Sequence, residues 1–62
     1  MAALRELRKQ AFLTQQELAA RASLSPWTIH RLEIGITKPR AKTVRELAKA
    51  LRVKPGQIEF GL

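Results

Sequence analysis

The stretch Thr14-Gln-Gln-Glu-Leu-Ala-Ala-Arg-Ala-Ser-Leu-Ser-Pro-Trp-Thr-Ile-His-Arg-Leu-Glu33 decides how this chain is read. Thr14 has the chemistry of an N-cap, and Glu17 three residues later completes a capping box. Leu18, Ala19 and Ala22 then form the apolar stripe of a helix over about 15–22. Ser23-Leu24 makes a turn. Ser25 is the next cap, with Pro26 at the first helical position, where its missing N–H costs nothing. A third helix follows over about 26–34, with Ile29 and Leu32 facing inward. Gly35 stops it, because glycine takes the left-handed conformation cheaply. Two short helices joined by a tight turn result. The outer face of the second carries Trp27, His30, Arg31 and Ile34, with Pro26 at its tip. An ordinary surface helix shows Lys and Glu there, and a large aromatic exposed on a small basic domain marks a contact surface.

Working outward, Leu4, Leu7 and Ala11 follow helical spacing and place helix 1 over about 3–11. Ile36-Thr-Lys-Pro-Arg40 is a basic loop. Val44, Leu47, Ala48 and Leu51 form one face of helix 4, over about 41–51. Lys54-Pro55-Gly56 breaks it, and a last short helix is expected over about 55–60, carrying Ile58 and Phe60. No strand, repeat or linker is evident. The chain of 62 residues is read as one domain, residues 1–62. A chain this short buries only ~60% of its unfolded surface, so its core must be economical.

Twelve Lys and Arg against five Asp and Glu give a net charge of +7, and the isoelectric point is about 11.3. That balance favours an anionic partner, nucleic acid first. A short helix fits the major groove of duplex DNA, and surplus positive charge holds it there. With no cysteine there is neither disulfide nor zinc finger. Met1-Ala-Ala-Leu runs at once into charged helix, so no signal peptide is expected. No apolar run is long enough to cross a bilayer. The location expected is the cytoplasm, as a nucleoid-associated or phage-encoded protein.

T-Q-Q-E-L-A, then S-x-x-T-I-x-x-L-E-x-G, then a basic loop with Pro39, then L-A-K-A-L-x-V resembles the phage repressor and Cro type of helix-turn-helix. These are the small DNA-binding domains of the xenobiotic-response-element family, and the resemblance covers about Leu4 to Phe60. It implies an all-α, compact five-helix lambda-repressor-like domain. It also implies a sequence-specific regulator of transcription, of repressor type, with helix 3 in the major groove of double-stranded DNA. Trp27, Arg31 and Pro26 match base-reading positions: Arg31 suits guanine, while Pro26, lacking a donor, suits an apolar contact such as a thymine methyl. Trp27 suits thymine methyls or a sugar–phosphate strand. Gln15, Lys38, Arg40 and Lys42 match backbone contacts, joined by Thr28 and His30 on the flank of helix 3. Arg8 and Glu33 match an ion pair that ties helix 1 to the end of helix 3. Phe12 and Ser23 stand where the family often has glycine, and Arg40 and Lys54 where Ser or Thr often caps a helix.

One such helix reads few base pairs, so a weak homodimer on a symmetric site is expected, with Ile58, Phe60 and Leu62 as the candidate pairing patch; the alternative is that they close the core, which suits Ile58 best. The alternative reading is an antitoxin or adaptor module that holds a protein partner through the same fold. A basic membrane-surface binder is disfavoured, because the apolar faces are needed for the core. Nothing points to an enzyme. The single histidine has no serine or carboxylate arrangement around it, and no phosphate-cradling glycine loop appears. No cofactor, metal or small-molecule ligand is expected. The Arg45, Lys49 and Arg52 stripe reads as a solvated face.

Overall fold

The computed structural model describes residues 2–60. Four α-helices occupy them: α1 (Leu4–Gln10), α2 (Gln15–Ala22), α3 (Pro26–Glu33) and α4 (Ala41–Leu51). The all-α class holds, but the count is four helices rather than five. The segment after α4 is a 3-10 turn, Pro55–Gln57, and Ile58–Glu59 beyond it is extended. The Gln57 side chain accepts from the Lys54 backbone N–H at 2.8 Å and closes that turn. Ile58 then adopts φ −93° and ψ 123°, which ends any helix and aims its side chain into the core. Short strands are the second correction. β1 (Ala2–Ala3) and β2 (Ile58–Glu59) pair in parallel, Ala2 opposite Ile58 and Ala3 opposite Glu59. Ala3 is therefore extended, and α1 begins at Leu4 rather than one residue earlier.

The core is a single cluster drawn from every helix. Leu4, Leu18, Ile29 and Leu47 are its largest fully buried side chains. Each contributes about 1.5–3 kcal/mol of transfer free energy. Ala19, Ala22 and Ala48 are also buried, and their small side chains let α2 approach α3 and α4 closely. Leu7, Leu24, Val53 and Phe60 close the edges.

Caps set the helix starts. Thr14 Oγ1 accepts from the Glu17 N–H at 3.0 Å, and the Glu17 carboxylate accepts from the Thr14 N–H at 2.9 Å. The latter bond, then the Thr14 hydroxyl, hold the Glu17 carboxyl below its ordinary pKa. At α3, Ser25 Oγ accepts from the Thr28 N–H at 3.1 Å. Arg40, at the start of α4, makes no side-chain cap bond.

All four helices end alike, in a left-handed residue flanked by paired 6→1 and reverse-turn hydrogen bonds. The left-handed residues are Phe12 (φ 57°), Ser23 (φ 58°), Gly35 (φ 79°) and Arg52 (φ 58°). The residues after them donate back to Arg8, Ala19, Arg31 and Ala48 carbonyls, at 3.2, 2.8, 3.3 and 3.0 Å. Those next residues are Leu13, Leu24, Ile36 and Val53. Three of the four pack on the core, as this motif favours. Only Gly35 adopts the conformation without a Cβ penalty; the other three bear one of about 1 kcal/mol each.

Candidate nucleic-acid interface

Burying Ile29 and Leu32, at 0% and 3% exposure, fixes which side of α3 faces out. Trp27, Arg31 and Ile34 stand at i, i+4 and i+7 and so share the opposite face. Trp27 is 64% exposed and Ile34 55%; Arg31 and Pro26 are exposed. His30 is half-buried, and its ring stacks on the Trp27 indole with centroids 5.6 Å apart and planes 30° apart. Thr28 is half-buried beside Ser25, their hydroxyl oxygens 2.9 Å apart.

A polar lock holds this helix to the body. Arg8 Nε donates to Glu33 Oε2 at 2.6 Å, and Nη2 donates to Oε1 at 3.2 Å. Arg8 Nη1 donates to the Leu13 carbonyl at 2.9 Å. Gln15 Nε2 donates to the same Glu33 Oε1 at 3.2 Å. The side chains of Arg8 and Glu33 are only 12% and 4% exposed. Glu33 thus binds α1, the start of α2 and the end of α3 at one point. Gln15, expected only as a backbone-gripping residue, also belongs to this lock. Its Nε2 keeps a second N–H for another acceptor.

Lys38, Arg40 and Lys42 are exposed along the loop and first turn of α4. Among the described residues the Arg8–Glu33 pair is the one ion pair, so Arg31 and these three cations carry unneutralised charge. A depression of about 160 Å³ lies between α1, α2 and α3, lined by Arg5, Arg8, Gln15, His30, Glu33 and Ile34. Arg5 enters the site through it, beside the outer-face Ile34. Arg5 was missed because nothing local in α1 shows which neighbours its face meets.

The expected pairing patch changes. Ile58 is 5% exposed and belongs to the core, because the β1–β2 pairing turns it inward. Phe60 is half-buried against that core, and Leu62 lies outside the described residues. A larger cleft, about 420 Å³, lies where α2 and α4 end, with Arg21, Lys49, Arg52 and Glu46 on its walls. Helix C-termini carry partial negative charge, and the three cations compensate it.

No group of three or more His, Cys, Asp or Glu among the described residues is placed to hold a metal ion. No helix among them is long and apolar enough to cross a membrane. A family model described as helix-turn-helix matches residues 4–58, most of the chain. No curated protein matches it.

Proposed function

This chain belongs to the Cro/C1-type helix-turn-helix family, and from that premise we propose a sequence-specific regulator of repressor type that reads the major groove with α3. The family binds double-stranded DNA in transcription regulation and is not enzymatic. The observation that best supports the finer reading is the outward line Trp27–Arg31–Ile34, exposed and held rigid by buried Ile29 and Leu32. Arg31 is the direct reader: its planar fork donates twice to guanine O6 and N7. Pro26 and Trp27 make apolar contacts at the helix tip. Gln15, Thr28 and His30 on one side, and Lys38, Arg40 and Lys42 on the other, grip the sugar–phosphate strands.

In this reading residues 1–62 act as one module in the cytoplasm, as a bacterial nucleoid-associated or phage-encoded protein. Two copies on a symmetric site, about 34 Å apart or a multiple of it, supply the specificity one helix lacks. With Ile58 in the core, Phe60 remains the described candidate for weak pairing between them.

The test is a binding-site selection from random duplexes, followed by titration of selected and scrambled duplexes at several salt concentrations. Affinity falls steeply with salt on both, and the selected duplex binds ~10³-fold tighter or better. Arg31→Ala relaxes preference at one base position, costing about 1–3 kcal/mol on the selected site. Equal affinity for selected and scrambled duplexes refutes sequence-specific reading.

A further inference from the structure

We infer that α3 selects a pyrimidine bearing a 5-methyl group close to a guanine, preferring thymine or 5-methylcytosine to uracil and unmodified cytosine. This rests on the major-groove reading above and names the bases it takes. Each base presents a different major-groove edge: guanine two acceptors, adenine an acceptor and a donor, cytosine a donor, thymine an acceptor and a methyl group. The outward groups of α3 answer only some of these. Arg31 offers donors and no acceptor. Pro26 offers neither donor nor acceptor through its side chain. Trp27 offers a broad apolar ring, 64% exposed, and Ile34 an aliphatic one turn beyond Arg31, 55% exposed.

Carboxamides, which pair with adenine, are absent from α3. Its one carboxylate, Glu33, would accept from cytosine, but its side chain is 4% exposed. Both of its oxygens are already engaged by Arg8 and Gln15. With the half-buried Thr28 hydroxyl turned to Ser25 and the half-buried His30 ring stacked against Trp27, two features are left for the exposed groups: the guanine acceptors, by Arg31, and a pyrimidine methyl, by Trp27. The stack on His30, with centroids 5.6 Å apart, holds the indole in one orientation before contact, which lowers the ordering cost of binding. Four residues along a helix advance about 6 Å, against about 3.4 Å per base pair. The methyl and the guanine therefore lie within about two base steps.

The experiment alters the DNA rather than the fold. The selected duplex is compared by fluorescence anisotropy with copies in which each thymine in turn is deoxyuridine. That exchange deletes a methyl and leaves every hydrogen-bonding edge unchanged. At one thymine per half-site the affinity falls about four-fold, the value of one buried methyl. Replacing that thymine–adenine pair by 5-methylcytosine–guanine keeps affinity within about two-fold of the thymine duplex, whereas unmodified cytosine–guanine loses the same four-fold. Trp27→Ala, an exposed position, binds the thymine and uracil duplexes equally. Tight, selective binding with no loss on uracil exchange at any position overturns this inference and leaves the regulator reading standing. Equal affinity for selected and scrambled duplexes overturns both.

Discussion

Removing the carboxylate of Glu33 tests the polar lock most directly. Glu33→Ala leaves the Arg8 guanidinium, 12% exposed, facing the space its partner filled. Breaking a buried pair from one side costs about 3–5 kcal/mol, because a charge is left desolvated and unpaired. Arg8 retains its bond to the Leu13 carbonyl, so the lower end, about 3 kcal/mol, is expected. A chain of this length has a total stability of about 3–9 kcal/mol. The variant therefore loses a third of it or more, and its melting temperature falls by roughly 12–24 °C at 4–8 °C per kcal/mol. Replacing both partners, Arg8→Met with Glu33→Leu, removes the stranded charge and returns stability to within about 1 kcal/mol of the parent. Thermal and urea melts followed by circular dichroism measure all three proteins. A cost below about 1 kcal/mol for Glu33→Ala is what an exposed ion pair would give, and it would refute the lock. So would a double variant as unstable as the single one.

Three further outcomes are expected. Phe12→Gly relieves a Cβ penalty at φ 57° on a side chain 92% exposed; it raises stability by up to about 1 kcal/mol in urea melts, and a loss would show that Phe12 packs on something. Arg40→Ser supplies the missing cap of α4 and adds about 1 kcal/mol, while weakening binding to all duplexes alike and lowering the salt slope by about one. Glu17 has a depressed folded pKa, so its contribution to stability is present above the ordinary glutamate range and is lost as pH falls through the folded value. Glu17→Gln flattens that part of the stability–pH curve, which melts across acidic pH will report.

Helices α2, α3 and α4 were legible because their signals are local. Thr14 and Glu17 lie three residues apart, Ser25 and Pro26 are adjacent, and the apolar positions repeat within a turn. The segment after α4 was not legible. A two-residue strand has no periodicity, and β2 is extended because it pairs with Ala2–Ala3 at the other end of the sequence. The same long-range dependence hid the role of Gln15, whose acceptor lies 18 residues away, and the arrival of Arg5 and Ile34 at one depression. The inward turn of Ile58 has the same origin. Among the helix ends, Phe12 and Ser23 stood out as replacements for glycine, but Arg52 did not, since nothing local in Leu51-Arg52-Val53 requires a left-handed residue.

The β1–β2 ladder brings the two ends of the described chain side by side, at the roughly 4.8 Å spacing of paired strands. Because the two strands run parallel, a tether fused before Ala2 and one fused after Phe60 leave from opposite ends of this short ladder, in opposite directions. Pulled apart by those ends, the protein takes the load first on the ladder in shear, its hydrogen bonds strained together, and only after they part do the helices feel tension.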